Sequence, residues 1–190
     1  AFYLKLGKDE DALKAWQAAV SLQDDNARVH YDLGILHAKT GEYDMAVNEL
    51  AKALVRFRLP KDKALKIQAL SVMGNAYFKK GDLSGAYGAW SRALVLDPDN
   101  WDLKTNLANV QMMRGQVDDA IKNYEDAVDE KKADSTLYAN MAFAYYKKND
   151  FRKSVEYLQK ALSQLPADKQ GEGAKPVGGT SAAEIYKNLG

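Results

Sequence analysis

The side chains able to do chemistry are few in this chain, and the most suggestive of them are amides. Asn106 and Asn109 stand three residues apart, so on a helix they share a face. Each amide offers both a donor and an acceptor, which suits gripping the backbone of another chain rather than breaking a bond. Two histidines, His30 and His37, lie seven residues apart, about 10 Å along a helix axis. That is too far to share one metal ion. They fall on packing positions of the pattern described below, so core or half-buried rings are expected, with sensitivity to protonation as their remaining interest. There are no cysteines, which removes disulfides, thiolate metal sites and thiol nucleophiles. The glycine-rich stretch GEGAKPVGG at 171–179 lacks the strand, the spacing and the Lys-Ser/Thr pair of a phosphate loop. The acidic pairs Asp24-Asp25 and Asp118-Asp119 fall at helix starts or turns, where solvation and the helix dipole account for them. No catalytic residues, cofactor or metal are expected, and the chain is not read as an enzyme.

The elements that carry these residues repeat. One small column runs Gly7, Gly41, Gly81, Gly115, Asn149, in steps of 34, 40, 34 and 34. Five residues later come Ala12, Ala46, Ala86, Ala120 and Ser154; a bulky column follows as Trp16, Leu50, Trp90, Tyr124 and Leu158; then Ala19, Ala53, Ala93, Ala127 and Ala161. Ahead of the turn stands a large-then-small pair: Leu33-Gly34, Met73-Gly74, Leu107-Ala108, Met141-Ala142. Apolar residues recur at helical spacing in two runs per unit, so each unit is two helices. The Gly or Asn column lies between the runs, where a positive φ ends the first helix. The small columns let two helix backbones approach, and the bulky column fills the space opposite.

These columns resemble the tetratricopeptide repeat (TPR) family, a helix-turn-helix repeated about every 34 residues. LGILHAKTGEYDMAVNELAKAL at 33–54 and MGNAYFKKGDLSGAYGAWSRALVLDP at 73–98 carry the likeness most fully. The resemblance implies an all-α, right-handed superhelical solenoid of antiparallel helix pairs. The expected units are a half repeat at 1–26, full repeats at 27–60, 67–100, 101–134 and 135–166, a basic insert at 61–66, a glycine-rich linker at 167–180, and the start of a further repeat or a capping helix at 181–190.

In this family the first helix of each pair lines a concave groove that receives a peptide or partner protein. Carried onto this chain, the positions expected to bind a partner are Tyr31, Asn75, Phe78, Asn106, Asn109, Asn140, Phe143 and Tyr146. Neighbouring helices sit about 8–10 Å apart, close to three residues of extended chain, so one amide per repeat matches a strand-like ligand. The family's clamp for a C-terminal carboxylate is not expected across 67–166, because Ser71, Thr136 and Asn140 stand where its cations belong. Lys39, Lys79 and Lys147 recur just before the turns, where a cation also suits the helix end without any partner.

Bulk properties add limits. The 190 residues carry 27 Lys and Arg against 26 Asp and Glu, a net charge of +1, which gives no electrostatic reason to expect nucleic acid or an anionic membrane. No apolar run approaches the length of a membrane span, and AFYLKLGKDE is no signal peptide; nothing chooses between cytoplasm and periplasm. The run from Arg56 to Lys66, with Arg58, Lys61 and Lys63 between, reads as a longer solvated loop or a basic partner site. The chain starts and stops within a repeat: AAEIYKNLG followed by AFYLKLGKDEDALKAWQAAV makes one complete unit on paper. Either a longer array is cut at both ends, or the tail covers the last unit, or molecules associate head to tail into a homo-oligomer by completing the split repeat.

Overall fold

A computed structural model describes residues 26–128 and 134–164. Among them are eight α-helices: α1 (Ala27–Thr40), α2 (Tyr43–Arg56), α3 (Lys63–Lys79), α4 (Leu83–Leu96), α5 (Trp101–Met113), α6 (Val117–Ala127), α7 (Ser135–Lys147) and α8 (Phe151–Ser163). The chain divides after Pro98 into two compact units. α1–α4 belong to the first and α5–α8 to the second. The half repeat at 1–26, the linker at 167–180, the segment 181–190 and the head-to-tail pairing that joins the two ends all lie outside the described residues.

Local sequence explains where the helices begin and end. Asn26, Asp82, Asn100, Asp134 and Asp150 each precede a helix and accept a hydrogen bond from a backbone N–H of its first turn. Such a cap satisfies a donor that the helix itself leaves without a partner. The turns within the pairs carry the expected column: Gly41, Gly81, Gly115 and Asn149 all have positive φ, between 63° and 83°. In every one, the next residue donates its N–H to the carbonyl five positions before it, as from Glu42 to His37 and from Asp150 to Tyr145. This six-to-one closure ends the first helix and aims the second back along it.

The pairs are antiparallel and close. A Cβ added to Gly34, seven residues before its turn, would lie 2.5 Å from Cγ of Leu50, nine residues after it. At Gly74 the same atom would lie 2.3 Å from Nε1 of Trp90. The bulky column therefore sits in the space that glycine leaves. Leu50, Trp90, Tyr124 and Leu158 are buried, as are Ala46, Ala86 and Ala120, Ala53, Ala93, Ala127 and Ala161, and Ser154, whose hydroxyl donates to the Ala142 carbonyl at 2.9 Å. Within each unit the second pair stacks on the first: α3 packs on α1 and α2, and α7 on α5 and α6. A surface ion pair marks the same register in both units. Lys80 pairs with Asp44 in the first, and Lys148 with Asp118 at 2.6 Å in the second.

One boundary differs from the sequence reading. The extra residues at 61–66 are not a loop throughout. After the buried Phe57, a short 3-10 turn at Pro60–Asp62 leads directly into α3, which begins at Lys63. Pro60 presets the turn and Asp62 accepts from the Leu59 N–H at 2.9 Å. Lys63, Ala64, Leu65 and Lys66 are all good helix formers, so they add one turn to the front of α3.

Candidate functional site

The first helices of the first unit, α1 and α3, border a cleft of about 270 Å3. Its apolar wall is Ile35 and Val72, with Ala38 and Ala76 beside them. Asn75 lies in it, exposed, and Lys39 and Lys79 close the end near the turns. Both lysines occupy the last turn of their helices, where the carbonyl end of each helix favours a cation. No carboxylate lines the cleft. It therefore joins an apolar floor, one neutral amide and two ammonium groups.

The expected partner-binding residues divide between this opening and the packing of the repeats. Asn75 is in the cleft. Tyr31 is buried: its hydroxyl donates to Gln68 Oε1 at 2.8 Å, and its ring meets Phe57 edge-on with centroids 6.2 Å apart. Burial raises the Tyr31 phenol above its ordinary pKa, so it stays neutral as it joins α1 to α3. Phe78 is half-buried, 5.9 Å from the Trp90 ring.

In the second unit Asn109 and Asn140 are brought together, with Asn140 only 2% exposed. The Asn109 Oδ1 accepts from Tyr124 Oη at 2.6 Å and from Asn140 Nδ2 at 3.1 Å. This small polar network ties α5, α6 and α7. Asn106 is half-buried on the same helix as Asn109. Phe143 is buried in a cluster with Ala142 and Leu158, Met112 and Tyr146 pack against it, and Lys147 Nζ lies 5.2 Å from its ring centre. Tyr146 is half-buried, with its ring 5.8 Å from that of Phe151.

Comparing equal places in the repeat explains the contrast. Where the first unit has Ala38 and Asn75, the second has Met112 and Phe143. The longer side chains occupy the space that the shorter ones leave open. Tyr43, at the start of α2, also lines the cleft and was not anticipated. Its signal was its place two residues after Gly41, where the reversed chain passes the end of α1.

His30 and His37 are both buried. His30 Nδ1 lies 2.6 Å from Glu49 Oε2, and His37 Nδ1 lies 2.5 Å from Glu42 Oε2. Both rings pin α1 to the chain that follows it. Among the described residues no group of three or more His, Cys, Asp or Glu side chains is placed to hold a metal ion. No helix among them is long and apolar enough to cross a membrane.

Family comparison agrees with this architecture. The TPR repeat model matches residues 2–41 and 74–115, and a second model, described as tetratricopeptide repeat, matches 112–175. The chain belongs to the tetratricopeptide repeat family. It is 26% identical over 161 residues to the Protein STIP1 homolog of Dictyostelium discoideum, a match covering 84% of this chain but 27% of that protein. Among solved structures it resembles MamA, with a TM-score of 0.77 and 24% identity over 90% of this chain and 95% of that one. It also resembles YrrB, described as a TPR protein with an unusual peptide-binding site, with a TM-score of 0.76 and 18% identity over 90% of this chain and 85% of that one. These likenesses show the fold, an all-α TPR repeat. TPR proteins in general mediate protein–protein interactions, which is the functional class this chain joins.

Proposed function

We propose that this chain is a non-catalytic binding module that holds a peptide segment of a partner protein along its first-helix face, with the α1–α3 cleft as the principal contact. The single observation that carries this reading is the composition of that cleft. Asn75 is positioned to bond a passing backbone without reading its sequence. Ile35 and Val72 offer an apolar seat for one side chain, and Lys39 and Lys79 favour a carboxylate beside it. The ligand that fits is an extended segment with an apolar residue next to an acidic one. Within the second unit, Asn106, Asn109, Asn140 and Tyr146 offer polar and aromatic contacts of secondary weight, since Asn109 and Asn140 already bond each other. Tyr31, Phe78 and Phe143 support the face from below.

The test is selection of displayed peptides on the whole chain, followed by fluorescence anisotropy with the selected sequences. Selection should enrich an acidic residue beside an apolar one. Asn75→Ala and Lys79→Glu are both at exposed positions and should each weaken binding about tenfold or more, with unchanged thermal melting. Equal affinity in both variants would sink the cleft as the binding site. Self-association through a completed terminal repeat rests on residues outside the described ones, so it stays the second reading.

A further inference from the structure

The opposite helices of the first unit carry a surface that the groove does not use. Two apolar depressions, of about 340 and 460 Å3, adjoin across α2, α3 and α4 and share Leu54 and Arg92. Val55 and Val95 border them and are 67% and 79% exposed. Val55 and Val95 hold the same place in successive repeats; the next two repeats have Asp129 and Ser163 there. Packing therefore does not require an aliphatic side chain at this column. An exposed pair of them on adjacent helices marks a contact surface.

The charged residues that line the depressions, Lys66 and Arg92, are both cations. Residues 51–70 contain six cations, Lys52, Arg56, Arg58, Lys61, Lys63 and Lys66, against the single acid Asp62. Asp62 is itself engaged with the Leu59 N–H. Lys66 and Arg92 line the depressions directly. Among the described residues neither they nor Arg58, Lys61 and Lys63 form an ion pair. The additional turn of α3 places Lys63 and Lys66 at this end of the helix. An apolar floor lined by Lys66 and Arg92 selects an occupant with both properties reversed.

We infer that the α2–α4 face of the first unit is a second docking surface, separate from the cleft, and that its occupant is an acidic segment of a partner protein carrying exposed apolar side chains. The leucine-like anchors seat against Leu54, Val55 and Val95, and the carboxylates meet Arg92, Lys66 and the cations before α3.

The probe is a short fluorescein-labelled peptide of Glu, Asp and Leu, titrated with the whole chain and read by anisotropy. Its control replaces every Leu by Ser. The Leu probe should bind more tightly than the control, and more weakly as salt rises. Val95→Asp, and separately the pair Lys66→Glu with Arg92→Glu, should each weaken it about tenfold or more. These variants are made in the Asn75→Ala, Lys79→Glu background, which removes the cleft's own affinity for an acidic, apolar peptide and should leave binding at the α2–α4 face intact. Circular dichroism melting checks that all variants fold. The inference is overturned if the probe does not bind, if the Ser control binds equally, or if Val95→Asp has no effect. It is also overturned if the cleft variant abolishes binding, or if an oligonucleotide or phosphatidylserine vesicles bind this face more tightly than the peptide.

Discussion

Asn149 adopts a backbone conformation that its three counterparts leave to glycine, with φ of 63° against 75° to 83°. An L-residue in the left-handed region costs about 1–2 kcal/mol, less for Asn, whose short polar side chain tolerates it. Asn149→Ala should therefore lower stability by about 1 kcal/mol, and Asn149→Gly should match or exceed the parent, as read from urea midpoints. A second residue-scale effect concerns pH. Burial tends to raise the Glu49 carboxyl, but hydrogen bonds from Lys52 and His30 outweigh it and hold the pKa below the ordinary value. A carboxylate lowered in the fold contributes stability while the unfolded chain's carboxylate is ionised, and loses it as pH falls through the folded value. Between about pH 5 and pH 3 the parent should lose more stability than Glu49→Gln does. Parallel losses in the two proteins would show that the Glu49 bonds contribute nothing.

The helix pair is the element that everything else depends on, and its tightest point is the meeting of Gly74 with Trp90. Gly74→Ala forces the indole away and disturbs its 3.2 Å bond to the Ser71 carbonyl. Overpacking of this kind costs about 1–3 kcal/mol. In the last described pair, Ala142 faces the smaller Leu158 in one cluster. Gly74→Ala combined with Trp90→Leu should consequently lose less stability than the two single changes added together. A double-mutant cycle by thermal melting measures that coupling; strict additivity would mean that the two residues are not packed as a unit. This level was the most legible in the sequence, because a turn needing positive φ and a hole needing a large side chain each admit few residue types. Gly41, Gly81, Gly115 and Asn149 announced themselves for that reason. The fates of Tyr31, Phe78 and Phe143 did not. Successive helix positions differ by about 100° around the axis, so a groove position is separated from a packing one by the size of its neighbours. Ala38 leaves an opening where Met112 closes one. The start of α3 was hidden as well, since basic residues suit a solvated loop and a helical turn equally.

At the scale of the molecule, the two binding surfaces proposed above belong to the first unit and lie on different helices of it. The cleft uses α1 and α3 with Tyr43, while the basic apolar face uses α2 and α4 with the front of α3. One helix pair stacked on another thus offers two separate faces, each apolar with cations beside it, without a dedicated loop. The residues that give each face its character, among them Asn75, Lys79, Val95 and Arg92, stand apart from the buried columns.

The added turn at the front of α3 also shows how this architecture absorbs length. The extra residues entered between two helix pairs, where Arg58, Leu59, Pro60 and Lys61 are exposed, and every packing column after them resumes its spacing undisturbed. The connection between pairs thus behaves as a seam in the design. Foreign sequence grafted there, such as an epitope or a reporter, would be carried on the outside of a framework that keeps its register on either side.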